Sequence, residues 1–320
     1  VIIARRARDH AETALAAIRA GCQVLVEKPF CLTAADLDRL LRAATPGQCR
    51  SGLVFLHASF MEAFRDTVAR SGVTPDSLTV IWSDPAGERR HGEKKTYDAS
   101  VNVVQDVLPH VWSLVRAMPC FGMARLDRVE TRDGGRRVEI VLLAGDKAAR
   151  AILTRDADRR ERRILLRGAG GEMELDFTRE PPTIRRDGEE LPVAFQAESP
   201  LSNELSAFLS DREAGLSDIH QCAEAALLSM EVMARVREAQ RETILAGVDR
   251  KAMAYAIREI REGGVGADGT ACDAKHIVDW AGIPAVPDPG SFVTLLYEAD
   301  DDTSASGRKE PDPVISRTKT

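Results

Sequence analysis

The run Cys22-Gln23-Val24-Leu25-Val26-Glu27-Lys28-Pro29 decides the fold. Its apolar part is short and ends in a charged pair and a proline, so it reads as a buried strand over 23–26 with a lysine at its carboxyl end. Open α/β sheets hold their ligands outside the carboxyl ends of their strands. Pro29 fixes its own φ and disfavours the α region for Lys28, which keeps the lysine extended there. Upstream, Val1-Ile2-Ile3-Ala4 reads as a strand and 9–20 as a helix. Strand, helix, strand in that order predicts a right-handed parallel crossover.

Working outward, the alternation continues with a helix over 34–43, a strand over 53–56 and a helix over 61–70. Thr33, with Asp36 three residues later, is placed to cap the second helix, and Asp9 to cap the first. A strand over 78–82, a charged loop over 84–98 and a helix over 101–118 follow. From 124 onward the texture changes to short β-rich runs over 138–143, 151–154, 163–166, 172–177 and 183–186. Gly168-Ala169-Gly170-Gly171 falls among these runs and reads as a turn. Such runs predict an antiparallel sheet with one face on helices and the other open to solvent or a partner subunit. Helices over 201–212, 217–241 and 250–262 complete the pattern. The expected fold class is α/β: a parallel sheet, then an α+β unit with a mostly antiparallel, open-faced sheet. The expected units are 1–72, 73–245, a helical and loop-rich extension over 246–297, and a disordered tail over 298–320.

Composition narrows the function. A formal net charge of −6 leaves no global basic field for nucleic acid. No apolar run approaches the roughly 18 residues of a membrane span. Six cysteines form neither a C-x-x-C pair nor a cluster with histidine, so neither a metal site nor a disulfide framework is expected. Reduced thiols and a cytoplasmic protein follow. Val1 opens a strand with no charged leader before it, and no initiating Met stands there, so the expectation is an incomplete chain without a secretory signal.

Four groups of residues could carry chemistry. Lys28 can donate to a substrate oxygen; its alternative is a loop pairing with Glu27. Asp106 and His110 stand four apart, on one face if the helix is continuous, and can serve proton transfer. The alternative is a capping Asp beside a core His, and Pro109 leaves open whether the helix starts there or runs through it. Arg89 and Arg90, with His91, Lys94 and Lys95, form a basic loop suited to an anionic group, unless Glu88 and Glu93 neutralise it. His57 stands at the end of the strand over 53–56 and could face a substrate or simply be hydrogen-bonded structure.

With these residues the chain resembles the glucose-fructose oxidoreductase and inositol dehydrogenase (Gfo/Idh/MocA) family. The resemblance rests on Val1-Ile2-Ile3-Ala4, His10, Arg19-Ala20-Gly21 and Val24-Leu25-Val26-Glu27-Lys28-Pro29, with Asp106-x-x-x-His110 in support. It implies an incomplete Rossmann-type sheet lacking its first three strands, NAD or NADP as cofactor, and hydride transfer at a secondary alcohol or carbonyl (sugar-like or cyclic polyol) or an imine. It implies Lys28, Asp106 and His110 as catalytic residues; Glu27, Lys28 and Arg5 beside the cofactor; and His57, Arg89 and Arg90 beside a small, possibly anionic substrate. It further implies a homodimer or homotetramer. Departures are the lack of a G-x-G-x-x-G before Val1 or near any later strand-helix junction, Leu56-His57-Ala58-Ser59-Phe60 where the family shows Asn-Arg-aromatic, Val107-Leu108-Pro109 before the histidine, and Ser113 where a second acid often follows. The rival expectation is a cofactor-free relative used for binding or assembly.

Overall fold

The computed structural model describes residues 1–86, 89–90, 93–94, 101–195, 198–210, 212–246 and 249–262. Most of the basic loop, Cys272 and the tail over 298–320 lie outside them.

The opening alternates as the sequence demands. Strand β1 (Ile2–Ile3), helix α1 (His10–Arg19), strand β2 (Val24–Glu27), helix α2 (Ala34–Ala43) and strand β3 (Cys49–Gly52) build a three-stranded parallel sheet in the order β1-β2-β3. β2 sits in the centre with Val24, Leu25 and Val26 buried, whereas β1 is an outer strand that leaves Val1 and Ile2 53% and 50% exposed. Thr33 caps α2 by accepting from the Asp36 N–H. Asp9 does not cap α1. A 3-10 turn, Ala7–Asp9, already winds the chain there, and Thr13 donates its hydroxyl to the Asp9 carbonyl at 2.7 Å instead.

The strand expected over 53–56 is displaced. The pairing partner of β2 is Cys49–Gly52, in the register Val24↔Cys49 to Glu27↔Gly52, and Val54–His57 is a 3-10 turn. Arg50 and Ser51 are buried polar residues that hide this strand from an apolar-run criterion, while Phe55 and Leu56 are apolar because they pack on the core from a turn.

After helix α3 (Ser59–Ser71) comes strand β4 (Thr74–Pro85), longer than expected, then the short ribbon β5 (Arg89–Arg90) and β6 (Glu93–Lys94), and helix α4 (Val103–Ala117). Strands β7 (Ala124–Arg132), β8 (Arg137–Ala144), β9 (Lys147–Ala157), β10 (Glu161–Ala169), β11 (Gly171–Asp176), β12 (Thr183–Arg186) and β13 (Glu189–Leu191) follow. With β4 they form an eight-stranded sheet, β13-β12-β11-β10-β4-β9-β8-β7. Every pairing is antiparallel except β4 with β9, which is parallel. Gly170 and Gly171, both with positive φ, turn β10 into β11. β7 and β13 were not foreseen, because charged side chains on an exposed edge give no apolar period.

Helices α5 (Pro200–Leu209), α6 (Ile219–Ala246) and α7 (Arg250–Glu262) close the described chain. α4 is buried on nearly every side, between the large sheet and α6. α6 also reaches α2 and β3, so the buried apolar residues from Ile3 to Val236 form one cluster spanning both sheets. α7 docks on the 3-10 turn Asp133–Gly135, where a Cβ on Gly134 would stand 1.9 Å from the Ala252 carbonyl oxygen. None of the described helices is long and apolar enough to cross a membrane.

Candidate active site

The carboxyl ends of β1 and β2 are tied together by one buried side chain. The His10 ring places Nδ1 2.8 Å from the Pro29 carbonyl and Nε2 3.0 Å from the Arg5 carbonyl. α1 thus delivers a staple that holds Glu27-Lys28-Pro29 against the end of β1. Arg5 contributes its carbonyl to that staple. Glu27 is half-buried and accepts from the Lys28 N–H at 3.2 Å.

Lys28 does not pair with Glu27. Its Nζ donates to the Asp106 carboxylate and, at 2.9 Å, to the Asp106 carbonyl. Asp106 reaches that place because Asn102 caps α4, accepting from the Val104 N–H at 2.8 Å while Gln105 accepts from the Asn102 N–H. Pro109 lies inside the helix, so Asp106 is in the first turn and His110 one turn on, and the possibility that Pro109 opens the helix is ruled out. Without an N–H, Pro109 leaves the Gln105 carbonyl without its helical donor.

Arg155, at the end of β9, completes the cluster by donating to the other Asp106 oxygen at 2.9 Å. Burial alone would raise the Asp106 pKa. The charges of Lys28 and Arg155, the Lys28 hydrogen bond and the charge of His110 overrule it and hold the carboxyl well below the ordinary carboxylate range. Two cations share one carboxylate. An ammonium has three N–H donors, and Asp106 takes two from Lys28, which leaves one for a substrate oxygen.

The imidazole of His110 lies among aromatic rings. Phe55 meets it edge-on with centroids 4.9 Å apart, and Trp82 stacks on it at 5.6 Å with planes 17° apart. Phe60 and Phe177 extend the group through Phe55. The turn that displaced the expected strand is what brings Phe55 here.

The remaining expected site residues are His57, Arg89 and Arg90. His57 is half-buried in the 3-10 turn; its carbonyl accepts from Asn203 at 3.1 Å, and burial, then the charge of Arg50, lowers its pKa. The backbone of Arg89 and Arg90 forms β5, and their side chains lie outside the described residues. No cluster of metal-ligating side chains occurs among the described residues.

Sequence reasoning missed Arg155, Trp82, Phe55 and Glu204. Glu204, on α5, is 3% exposed, and its pKa is pushed up to about 8, first by burial and then by the charge of Glu27, against a backbone hydrogen bond from Leu53. An arginine one residue beyond an apolar run was the only signal for Arg155. The described residues contain no glycine-rich turn from a strand into a helix. The spacing G-x-G-x-x-G does occur at Gly264-Val265-Gly266-Ala267-Asp268-Gly269, after a helix and outside the described residues.

The family model described as "Oxidoreductase family, NAD-binding Rossmann fold" matches residues 1–54, the segment that holds all three parallel strands. Among solved structures, KijD10, a 3-ketoreductase from Actinomadura kijaniata in complex with TDP-benzene and NADP, superposes with a TM-score of 0.59 at 17% identity, covering 73% of this chain and 76% of its own. A protein from Magnetospirillum magnetotacticum MS-1 assigned as an oxidoreductase gives 0.56 at 22% identity, covering 72% and 78%. Another from Sinorhizobium meliloti 1021, assigned as a myo-inositol dehydrogenase, gives 0.56 at 18%, covering 75% and 79%. At these identities the likeness is one of fold. No curated protein matches the chain by sequence. Over residues 1–54 the chain is thus similar to the NAD-binding oxidoreductase family of that model, and over about three quarters of its length it shares the fold of these structures, a parallel sheet followed by a mostly antiparallel one.

Proposed function

We propose that the protein is an NAD(P)-dependent oxidoreductase that interconverts a secondary alcohol, sugar-like or cyclic, and its carbonyl. One observation carries the reading: the Lys28 ammonium is held on Asp106 at the carboxyl end of β2, with one donor to spare, a helical turn from His110. The residues fit the nicotinamide end of such a cofactor, because stapled strand ends and a fixed cation are what a flat, charge-changing ring requires there. Glu27, Lys28 and Arg5 would hold it. The described residues offer no counterpart for its pyrophosphate.

The nicotinamide, when bound, supplies or takes up a hydride at the substrate carbon. The proton belongs to this chain. In oxidation His110 accepts it from the substrate hydroxyl, and in reduction returns it to the carbonyl oxygen. Lys28 donates its free N–H to the same oxygen and stabilises the alkoxide as charge develops. Asp106, kept ionised by Lys28 and Arg155, positions the ammonium and takes no proton. The apolar rings around His110 limit the water that can compete for the oxygen.

Saturation-transfer NMR with reduced nicotinamide mononucleotide, the half of the cofactor these residues fit, tests the reading on the whole chain. The expected result is transfer to the nicotinamide protons that Lys28→Ala abolishes. Absence of transfer in the wild type, or transfer indifferent to Lys28, overturns it and favours a cofactor-free binding protein.

A further inference from the structure

One group beside His110 is unused by this mechanism. Trp82 is 7% exposed, and its indole N–H is buried without an acceptor. Trp112, the other described tryptophan, donates to Glu224 at 3.1 Å. Buried donors are nearly always satisfied in folded proteins, and an unsatisfied one forfeits its hydration with nothing in return.

Its ring is also held fast. Trp82 stacks on His110, and the Arg162 guanidinium lies over it 3.8 Å from the centroid. Arg162 in turn donates to Asp84, to the Ser83 carbonyl at 2.6 Å and to the Glu161 carbonyl at 2.8 Å. A tryptophan immobilised this way cannot swing to find an acceptor. Phe55 meets both rings edge-on, and Phe55 and Phe60 are half-buried, so the aromatic group reaches toward the surface and is not sealed in the core.

We propose that Trp82 is a substrate-binding residue whose indole N–H donates to an oxygen next to the reacting carbon, in a cyclic hydroxyketone or diol whose apolar ring face lies on Phe55 and Phe60. This rests on the oxidoreductase reading. Lys28 and His110 then address one oxygen and Trp82 the neighbouring one, so the site distinguishes a vicinal pair of oxygens from a single one. Such recognition is strong because the analogue lacking the second oxygen leaves the indole unpaired.

The test needs neither cofactor nor turnover, so its outcome is separable from that of the oxidoreductase reading. The chain has three tryptophans, hence three indole signals in a 15N-labelled sample, and Trp82→Phe identifies one of them. Cyclohexanone and 2-hydroxycyclohexanone are each titrated to their solubility limit. The expected result is a saturable downfield shift of the Trp82 N–H, tighter with the hydroxyketone, while Trp112 stays fixed. A Trp82 signal that does not move, or moves no more than that of Trp112, overturns the proposal. Where turnover of a vicinal hydroxyketone is measurable, Trp82→Phe, which keeps the stack and deletes the N–H, raises KM about tenfold with a smaller change in kcat. An equal KM would also overturn it.

Discussion

Two carboxylates, Asp106 and Asp84, each engage a cation beside the same histidine, and their surroundings give them opposite roles. Arg162 and Asp84 are 2% and 1% exposed, and the guanidinium is spent on Asp84 and two carbonyls behind Trp82. Lys28 and Asp106 are 19% and 24% exposed, and the ammonium retains a donor. The first pair is scaffold: enclosed charge with every direction filled, holding a ring in place. The second is ordered yet reachable, which is what the proposed chemistry requires. Burial and spare valence, not the presence of an ion pair, separate the two.

The comparison can be broken most sharply by turnover. Lys28→Ala and His110→Ala should each lower it by about two orders of magnitude or more, the usual contribution of positioned acid-base and electrostatic groups. Near-normal turnover in both would return Lys28 and Asp106 to the status of scaffold. Asp84→Ala should do the reverse. It strands a buried guanidinium, so equilibrium unfolding in urea should show a loss of about 3–5 kcal/mol. A variant as stable as the parent would show that Arg162 finds water or another acceptor.

Acid titration sharpens the contrast further. Because the Asp106 pKa is depressed in the fold, its stabilisation is present above the ordinary value of 3.8 and is lost as pH falls below it. The gap in stability between the parent and Asp106→Asn should therefore be largest near neutrality and close in acid. A gap that does not change with pH would mean that Lys28 and Arg155 do not hold the carboxylate. The smallest effect is expected at Glu204, where the sign reverses. Its pKa is raised to about 8 from 4.5, so the folded state keeps a proton that the unfolded chain releases, and stability falls as pH rises between those values. Glu204→Gln should flatten that slope and raise the melting temperature at pH 8 more than at pH 5. An unchanged slope would place the carboxyl in contact with water.

How legible the molecule was differed by region. α2 was readable to the residue because its cap, its acid at the third position and its apolar spacing all agree. β3 was not, since the pairing of Cys49–Gly52 with β2 admits Arg50 and Ser51 into a buried strand while the more apolar Val54–His57 becomes a turn. In the site, Lys28, Asp106 and His110 stood out because proline and four-residue spacing are local signals. Arg155 comes from β9, 49 positions from Asp106, and nothing near it in the chain says where its guanidinium goes.

What the chain determined by itself was the strand-helix alternation of its opening and the two motifs on which the proposed chemistry rests. Periodicity, caps and proline act within a few residues, so they can be read without the rest of the protein. Only the tertiary structure decided that Asp106 is shared by two cations, that Pro109 runs inside its helix, that a turn carries Phe55 to His110 and that Trp82 is left with an unanswered N–H. Each of these depends on packing between segments far apart in sequence, where burial and charge are set by neighbours that no local pattern can name.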